Sequence, residues 1–218
     1  MMKNDKTPLE LREPLLDAML DHVPFDGWSD KALCHAAEDI GVSSEMAELA
    51  FPGGAMEALE AHLVLADKKM ATALAALDLM NMRIRDRITV AVRTRFEQAT
   101  THREAVKRGV AVHALPQNIA KGAKAGWRTC DVIWRACGDT STDHNWYTKR
   151  ASLLAVYSST LLFWLNDESE GFEDTWAFLD RRIENVMQFE KAKFRAREAC
   201  ANAPSLSRFL GRLRYPHT

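Results

Sequence analysis

Glycine and proline are scarce in this chain, ten and seven among 218 residues. That excludes collagen-like and low-complexity architectures. Cysteine is sparse as well. Cys34, Cys130, Cys137 and Cys200 form no CxxC pair, and no histidine stands at a zinc spacing from them. Neither a structural zinc site nor a disulfide scaffold is expected, and the thiols read as reduced, mostly buried groups. There is no excess of one charge sign. Lys and Arg number 29 against 30 Asp and Glu, which leaves no global attraction to nucleic acid or to an anionic membrane. No apolar run is long enough to cross a bilayer. The longest, 151–165, contains Tyr157, Ser158, Ser159 and Thr160, whereas a spanning helix needs about 20 residues with few polar groups. It reads as a helix buried on nearly all sides. The opening residues have no apolar signal core and too many acids for an organelle transit peptide, which points to a bacterial-style cytoplasmic location.

Catalytic motifs are missing too. The histidines at 22, 35, 62, 102, 113, 144 and 217 make no HExxH, and none has an acid three residues before it. The metalloprotease and di-iron helix signatures are thereby absent. No GxSxG, phosphate loop or GxGxxG occurs. The acids Asp167, Glu168, Glu170, Glu173 and Asp174 read as a solvated turn at a helix start. No catalytic residue, metal ligand or cofactor is nominated, and the chain is expected not to be an enzyme.

What the chain has in quantity is helix formers and helical periodicity. Pro14 suits the first turn of a helix to about His22, and Pro24 and Gly27 punctuate a turn at 23–28. Ser29 can cap a helix from Asp30 to Ile40, which Gly41 ends. Ser43 or Ser44 can cap a short helix to Ala50, and Pro52, Gly53 and Gly54 precede a long one from Ala55 to about Leu79. Short helix, glycine turn, short helix resembles a helix-turn-helix, and with the helices that follow it looks like the tetracycline-repressor type of fold.

The DNA face of such a fold is absent. From Val23 to Glu60 the acids are Asp26, Asp30, Glu38, Asp39, Glu45, Glu48, Glu57 and Glu60, and Lys31 is the one Lys or Arg. A helix that contacts phosphates needs Arg or Lys where this one carries Glu45 and Glu48. No nucleic-acid partner is expected. The expected fold class is therefore all-α, a tetracycline-repressor-like bundle with a degenerate N-terminal helix-turn-helix and a C-terminal amphipathic helix.

A basic helix spans about 81–96, and another helix about 100–112. Ile119, Ala123, Trp127, Cys130, Trp134 and Cys137 share a stripe read as a core face of the next helix. Asp143 or Asn145 can cap the helix that holds the apolar run, and Thr175 can start the last long helix, with Trp176, Leu179 and Ile183 on one face. After Pro204, the apolar residues Leu206, Phe209, Leu210 and Leu213 recur at i, i+3, i+4 and i+7, and Arg208, Arg212 and Arg214 fill other positions. That pattern fits an in-plane membrane contact or a helix docked on its own core or on a second subunit.

Two segments carry a specific resemblance. One runs Gly138-Asp139-Thr140-Ser141-Thr142-Asp143-His144-Asn145-Trp146-Tyr147-Thr148-Lys149-Arg150, the other Phe172-Glu173-Asp174-Thr175-Trp176-Ala177-Phe178-Leu179-Asp180-Arg181-Arg182-Ile183. Together they resemble the coenzyme Q biosynthesis "protein nine" family, and Gly27-Trp28 and Phe51-Pro52-Gly53-Gly54 fit it as well. The resemblance implies a homodimeric, tetracycline-repressor-like protein peripheral to the inner membrane. Such a protein would bind isoprenoid quinone or phospholipid and present quinone intermediates to membrane-associated enzymes such as the demethoxyubiquinone hydroxylase. On this reading residues 1–54 form the helix-turn-helix-like part, 55–201 the lipid-binding core and 202–218 the amphipathic tail.

The expected lipid-binding residues are Trp127, Trp134, Leu154, Tyr157, Leu161, Trp176, Leu179 and Ile183. The resemblance places the enzyme partner on Asp143, Trp146, Tyr147 and Arg150. The expected membrane contacts are Leu206, Arg208, Phe209, Leu210, Arg212 and Leu213. His144 departs from the family, which usually has Phe there. The alternative function is a ligand-responsive transcription regulator of the same fold.

Overall fold

The computed structural model describes residues 6–201, and every regular element among them is helical. The helices are α1 (Pro8–Asp26), α2 (Asp30–Asp39), α3 (Ser44–Ala50), α4 (Gly54–Ala75), α5 (Ile84–Glu97), α6 (Arg103–Ala114), α7 (Ile119–Ala136), α8 (His144–Trp164) and α9 (Glu173–Ala201). Short 3-10 turns precede α5, α6 and α9. The chain divides into two compact units, 1–179 and 180–218, with the division inside α9. The tail residues Leu206, Arg208, Phe209, Leu210, Arg212 and Leu213 lie outside the described residues.

The helix starts follow the capping chemistry of the sequence. Ser29 Oγ accepts from the Ala32 backbone N–H, and Ser43 Oγ from that of Met46. Asp143 caps α8 by accepting from the Asn145 N–H at 3.0 Å. Gly41 has φ +69°, the left-handed conformation that lets the chain leave α2 without a Cβ clash.

The first helix departs from expectation. It begins at Pro8 behind a Thr7–Glu10 capping box and continues through both Pro14 and Pro24 to Asp26. An interior proline costs about 3 kcal/mol. Tertiary burial offsets this: Leu11, Leu15, Leu16, Met19, Leu20 and Val23 are all buried, each contributing about 1.5–3 kcal/mol. Together with Ala32, Ala36 and Ala37 of α2 and Ala47 and Ala50 of α3, they make a filled apolar core. On α3, Glu45 and Glu48 face solvent.

In the bundle formed by α4–α8 the interior is more polar. Asp67 of α4 is buried and accepts from Thr129 Oγ1 at 2.8 Å and Arg128 Nε at 2.9 Å, both on α7. The basic helix α5 does not present all its arginines to water. Arg87 is held by the carbonyls of Met80, Met82 and Cys137, and Arg95 is buried. The face of α7 that is buried carries Ala125, Thr129, Cys130 and Ile133, so the expected stripe through Ile119 and Trp127 is turned partly outward, and Ile119 is exposed. Likewise α8 is not buried on nearly all sides. Ala151, Ala155, Ser158 and Leu162 are exposed. No helix among the described residues is long and apolar enough to cross a membrane.

Candidate functional site

Helices α4–α8 enclose a cavity of about 520 Å³. Leu59 and Leu63 of α4, Phe96 of α5, Val106 and Val110 of α6, and Leu154 and Leu161 of α8 supply apolar walls. Its polar lining consists of His62, Arg95, His113, Thr129, Tyr157 and Ser158, with the indole of Trp164. Ile119 and Leu162 border the cavity and are exposed, which marks its opening to the surface. A space of this size lies within the ~300–1,000 Å³ typical of small-molecule sites, and an apolar wall with a few polar groups is the usual lining.

Aromatic packing shapes one end. Trp164 stacks on Phe96 with ring centroids 5.3 Å apart, and Tyr157 packs on the same Phe96 at 5.3 Å. Trp164 is fully buried, and its Nε1 has no hydrogen-bond partner among the described residues. Burial pushes the Tyr157 hydroxyl above its ordinary range, and it pushes the His62 imidazole down to about 4, aided by the nearby Arg95 and Lys69 charges. His62 is therefore neutral at physiological pH.

Of the residues expected to bind lipid, Leu154, Tyr157 and Leu161 are brought together on the cavity wall. The others are elsewhere. Trp134 donates from Nε1 to the Lys149 carbonyl at 3.1 Å, Trp176 to the Gly171 carbonyl at 2.8 Å, and Leu179 is core. Ile183 falls in the second unit. The lining residues of α4–α6 were missed because their helices gave only an amphipathic pattern. One signal was present. Gly126 interrupts a helix, where glycine costs about 1 kcal/mol relative to alanine. In the structure a Cβ there would stand 2.8 Å from Leu154 Cδ1, so the glycine lets α7 approach α8.

The expected partner residues gather at the start of α8. Tyr147 is 60% exposed and packs edge-on against Trp146 at 4.7 Å. Trp127 joins them, 5.7 Å from Trp146, in place of its expected position on the cavity. Arg150 differs from a surface anchor. It is 1% exposed, donates to Asp131 at 2.7 Å and Asp139 at 2.9 Å, and lies 4.3 Å beneath the Trp146 ring. Two carboxylates fix the guanidinium, and it in turn supports the exposed aromatics. Burial alone would raise the Asp139 carboxyl, but hydrogen bonds from Lys149, Ser141 and Arg150 hold it well below the ordinary carboxylate range.

Two further groups among the described residues carry metal-ligating or nucleophilic side chains. His22, Asp26 and His35 offer ligand atoms within 4.8 Å of one another. Asp26 already accepts from Lys31 at 2.6 Å, and His22 lies 2.6 Å from Asp39, so these groups already have partners. No disulfide joins Cys34, Cys130 or Cys137, and burial pushes the thiols of Cys130 and Cys137 up to about 12, which leaves them unreactive.

Comparison with known proteins gives this geometry a context. Residues 119–190 match the COQ9 family model. The chain is 33% identical over 188 residues to the mitochondrial ubiquinone biosynthesis protein COQ9 of Rattus norvegicus, covering 82% of this chain and 59% of that protein. For the Homo sapiens protein of the same name the identity is 33% over 186 residues, with 82% and 58% covered. For that of Schizosaccharomyces pombe it is 28% over 175 residues, with 79% and 68% covered. The chain thus spans about three fifths of the length of the animal relatives. In structure it resembles a TetR transcriptional regulator from Nitrosomonas europaea, with a TM-score of 0.68 at 19% identity over 82% of this chain and 98% of that one. That likeness concerns the fold and bears out the expected all-α, tetracycline-repressor-like architecture. Residues 119–190 are thus similar to the COQ9 family model, and the fold of the chain is TetR-like.

Proposed function

We propose that this chain is a non-catalytic accessory protein of ubiquinone biosynthesis, which holds an isoprenoid lipid in the α4–α8 cavity and presents it to a membrane-associated enzyme such as the demethoxyubiquinone hydroxylase. The observation that carries the reading is the apolar cavity inside a chain similar to ubiquinone biosynthesis proteins. The apolar stretches of the wall can pack against an isoprenoid chain, and burying that chain removes its surface from water. A chain longer than the cavity would leave through the opening at Ile119 and Leu162. The aromatic patch of Trp127, Trp146 and Tyr147 is the proposed enzyme contact, with Asp143 at its edge and Arg150 supporting it from below. An exposed Tyr beside a half-buried Trp is the kind of anchor that interfaces use. The tail residues 206–213 are proposed to meet the bilayer, and a second copy of the chain to complete a homodimer.

The alternative of a DNA-binding regulator shares the fold, but α3 presents Glu45 and Glu48 to solvent where a phosphate-contacting helix needs Arg or Lys. The test is organic extraction of the purified chain followed by mass spectrometry, with Val110→Trp as the comparison. Val110 borders the cavity, and a Trp there occupies part of its space. Wild type should carry isoprenoid lipid at near-stoichiometric level, and the variant should lose most of it while keeping its helical circular dichroism. Lipid-free wild type, or equal lipid in both, would overturn the carrier reading.

A further inference from the structure

A second, smaller cavity of about 180 Å³ adjoins the apolar one. The two share His62, Arg95, Ala99 and Val106 in their walls. The smaller one is also bordered by Lys69, Gln98, Thr101 and His102, and Asp17 is the carboxylate on its wall. Lys69 reaches Asp17 at 3.4 Å and Glu13 at 3.9 Å, so its charge is partly balanced at the surface. Arg95 is not balanced in this way.

Arg95 is 6% exposed and stands between the two cavities. Its nearest acid is Asp67, but both oxygens of that carboxylate are already engaged by Thr129 and Arg128. Arg95 Nε approaches Asp67 Oδ1 only to 3.7 Å, beyond hydrogen-bond distance, and has no hydrogen-bond partner. No hydrogen bond from its other nitrogens is found among the described residues. Arg128 leaves Nη2 unpartnered as well. Arg95 thus shares its one nearby carboxylate with Arg128, a partly exposed residue that lines neither cavity, which leaves the buried Arg95 at the cavity wall with an incompletely balanced charge and an unsatisfied Nε donor. A buried charge in this state is unfavourable until an anion completes it. The planar guanidinium fork suits carboxylate and phosphate oxygens above other acceptors. A neutral quinone carbonyl could accept a hydrogen bond there but would leave the charge uncompensated.

We infer that the ligand is an anionic amphiphile, whose carboxylate or phosphate head sits in the smaller cavity on Arg95, beside His62 and Lys69, while its apolar tail fills the larger one. This rests on the reading that the larger cavity holds lipid. It specifies an acidic species as the preferred cargo, either a prenylated carboxylic acid or a phosphate-bearing lipid. Neutral His62 contributes a hydrogen-bonding ring without adding to the charge.

The test uses the full chain, stripped of lipid, and three probes with one tail: farnesyl phosphate, farnesoic acid and farnesol, with inorganic phosphate as the headgroup alone. Isothermal titration should show at least one acidic probe binding about ten-fold or more tighter than farnesol, as expected when an ionic hydrogen bond replaces a neutral one. Whichever acidic probe binds tighter identifies the head as carboxylate or phosphate. Arg95→Met should bring the acidic probes down to farnesol, and Arg95→Lys, which keeps the charge, should retain part of the preference. Lys69→Gln, at an exposed position and so tolerated by the fold, should narrow the preference about three-fold. Equal binding of all three farnesyl probes to wild type would overturn the anion site and leave the lipid cavity standing. No binding of any farnesyl probe would remove the cavity reading and the inference with it. Inorganic phosphate binding as tightly as farnesyl phosphate would show a site for a free anion and overturn the amphiphile.

Discussion

Around α1–α3, leucines and Met19 from one helix meet alanines from the other two, and the small partners let the helices pack closely. Between α4 and α8, leucine, valine and aromatic side chains meet across a wider gap, and about 520 Å³ stays open. One charge network, Asp67 with Arg95, Arg128 and Thr129, reaches that gap through Arg95 and Thr129, and a second, Arg150 with Asp131 and Asp139, ties α8 to α7 and the loop after it. A filled core is stabilised by burial and packing, whereas a hollow one depends more on the links at its walls. The fold therefore combines a solid region that retains a helix-turn-helix shape without a basic DNA face, and a hollow region suited to a ligand.

The difference can be broken most severely at Arg150. Arg150→Met leaves Asp131 and Asp139 without their central cation, and removing one partner of a buried ion pair costs about 3–5 kcal/mol. Urea unfolding should show a loss of that order, and a change near zero would mean that the α7–α8 contact does not depend on its ion pairs.

The next effect contrasts filled with hollow directly. Leu15 is fully buried in the solid core, so Leu15→Ala should lose about 2–5 kcal/mol, whereas Leu154→Ala only enlarges a space already present and should lose less than about 1 kcal/mol. Equal losses in chemical denaturation would argue that the cavity is closed in solution.

The smallest effect is acid-dependent. Asp167, expected in a solvated turn, is buried and accepts from the backbone and hydroxyls of Ser169 and Thr175 at the start of α9. Burial acts to raise its pKa, but those hydrogen bonds lower it to about 2. A carboxylate whose folded pKa is depressed adds stability that is complete above its unfolded pKa and is lost as pH falls through the folded one. Unfolding midpoints should therefore be flat above about pH 5 and fall between about pH 4 and pH 2. Asp167→Asn should make that acid limb shallower, and an unchanged limb would assign it to Asp139 and other carboxylates.

The start of α8 and the cavity were legible to different degrees. The Asp143 cap and the Trp146–Tyr147 pair follow from local chemistry, so their positions could be read directly. Arg150 could not, because a buried arginine and an exposed one occupy the same kind of helical position until Asp131 and Asp139 are brought to it from α7 and the following loop. Leu154, Tyr157 and Leu161 share a face by helical spacing, and they do line the cavity. Trp127 and Trp134 were placed with them by size and apolarity, but α7 is rotated so that its smaller residues face inward.

By itself the sequence determined the all-helical class, most helix ends, and the acidic surface of α3, because caps, glycine turns and charge act within a few residues. It also carried the COQ9-type motifs of α8 and α9. Tertiary structure alone decided that α1 runs through two prolines, that one core is filled and the other hollow, and that Arg95 is left with an incompletely balanced charge between two cavities. The physical reason is that periodicity selects which face of a helix turns inward, whereas the distance between helices, and so what space and which unpaired groups remain, is set by all their contacts together.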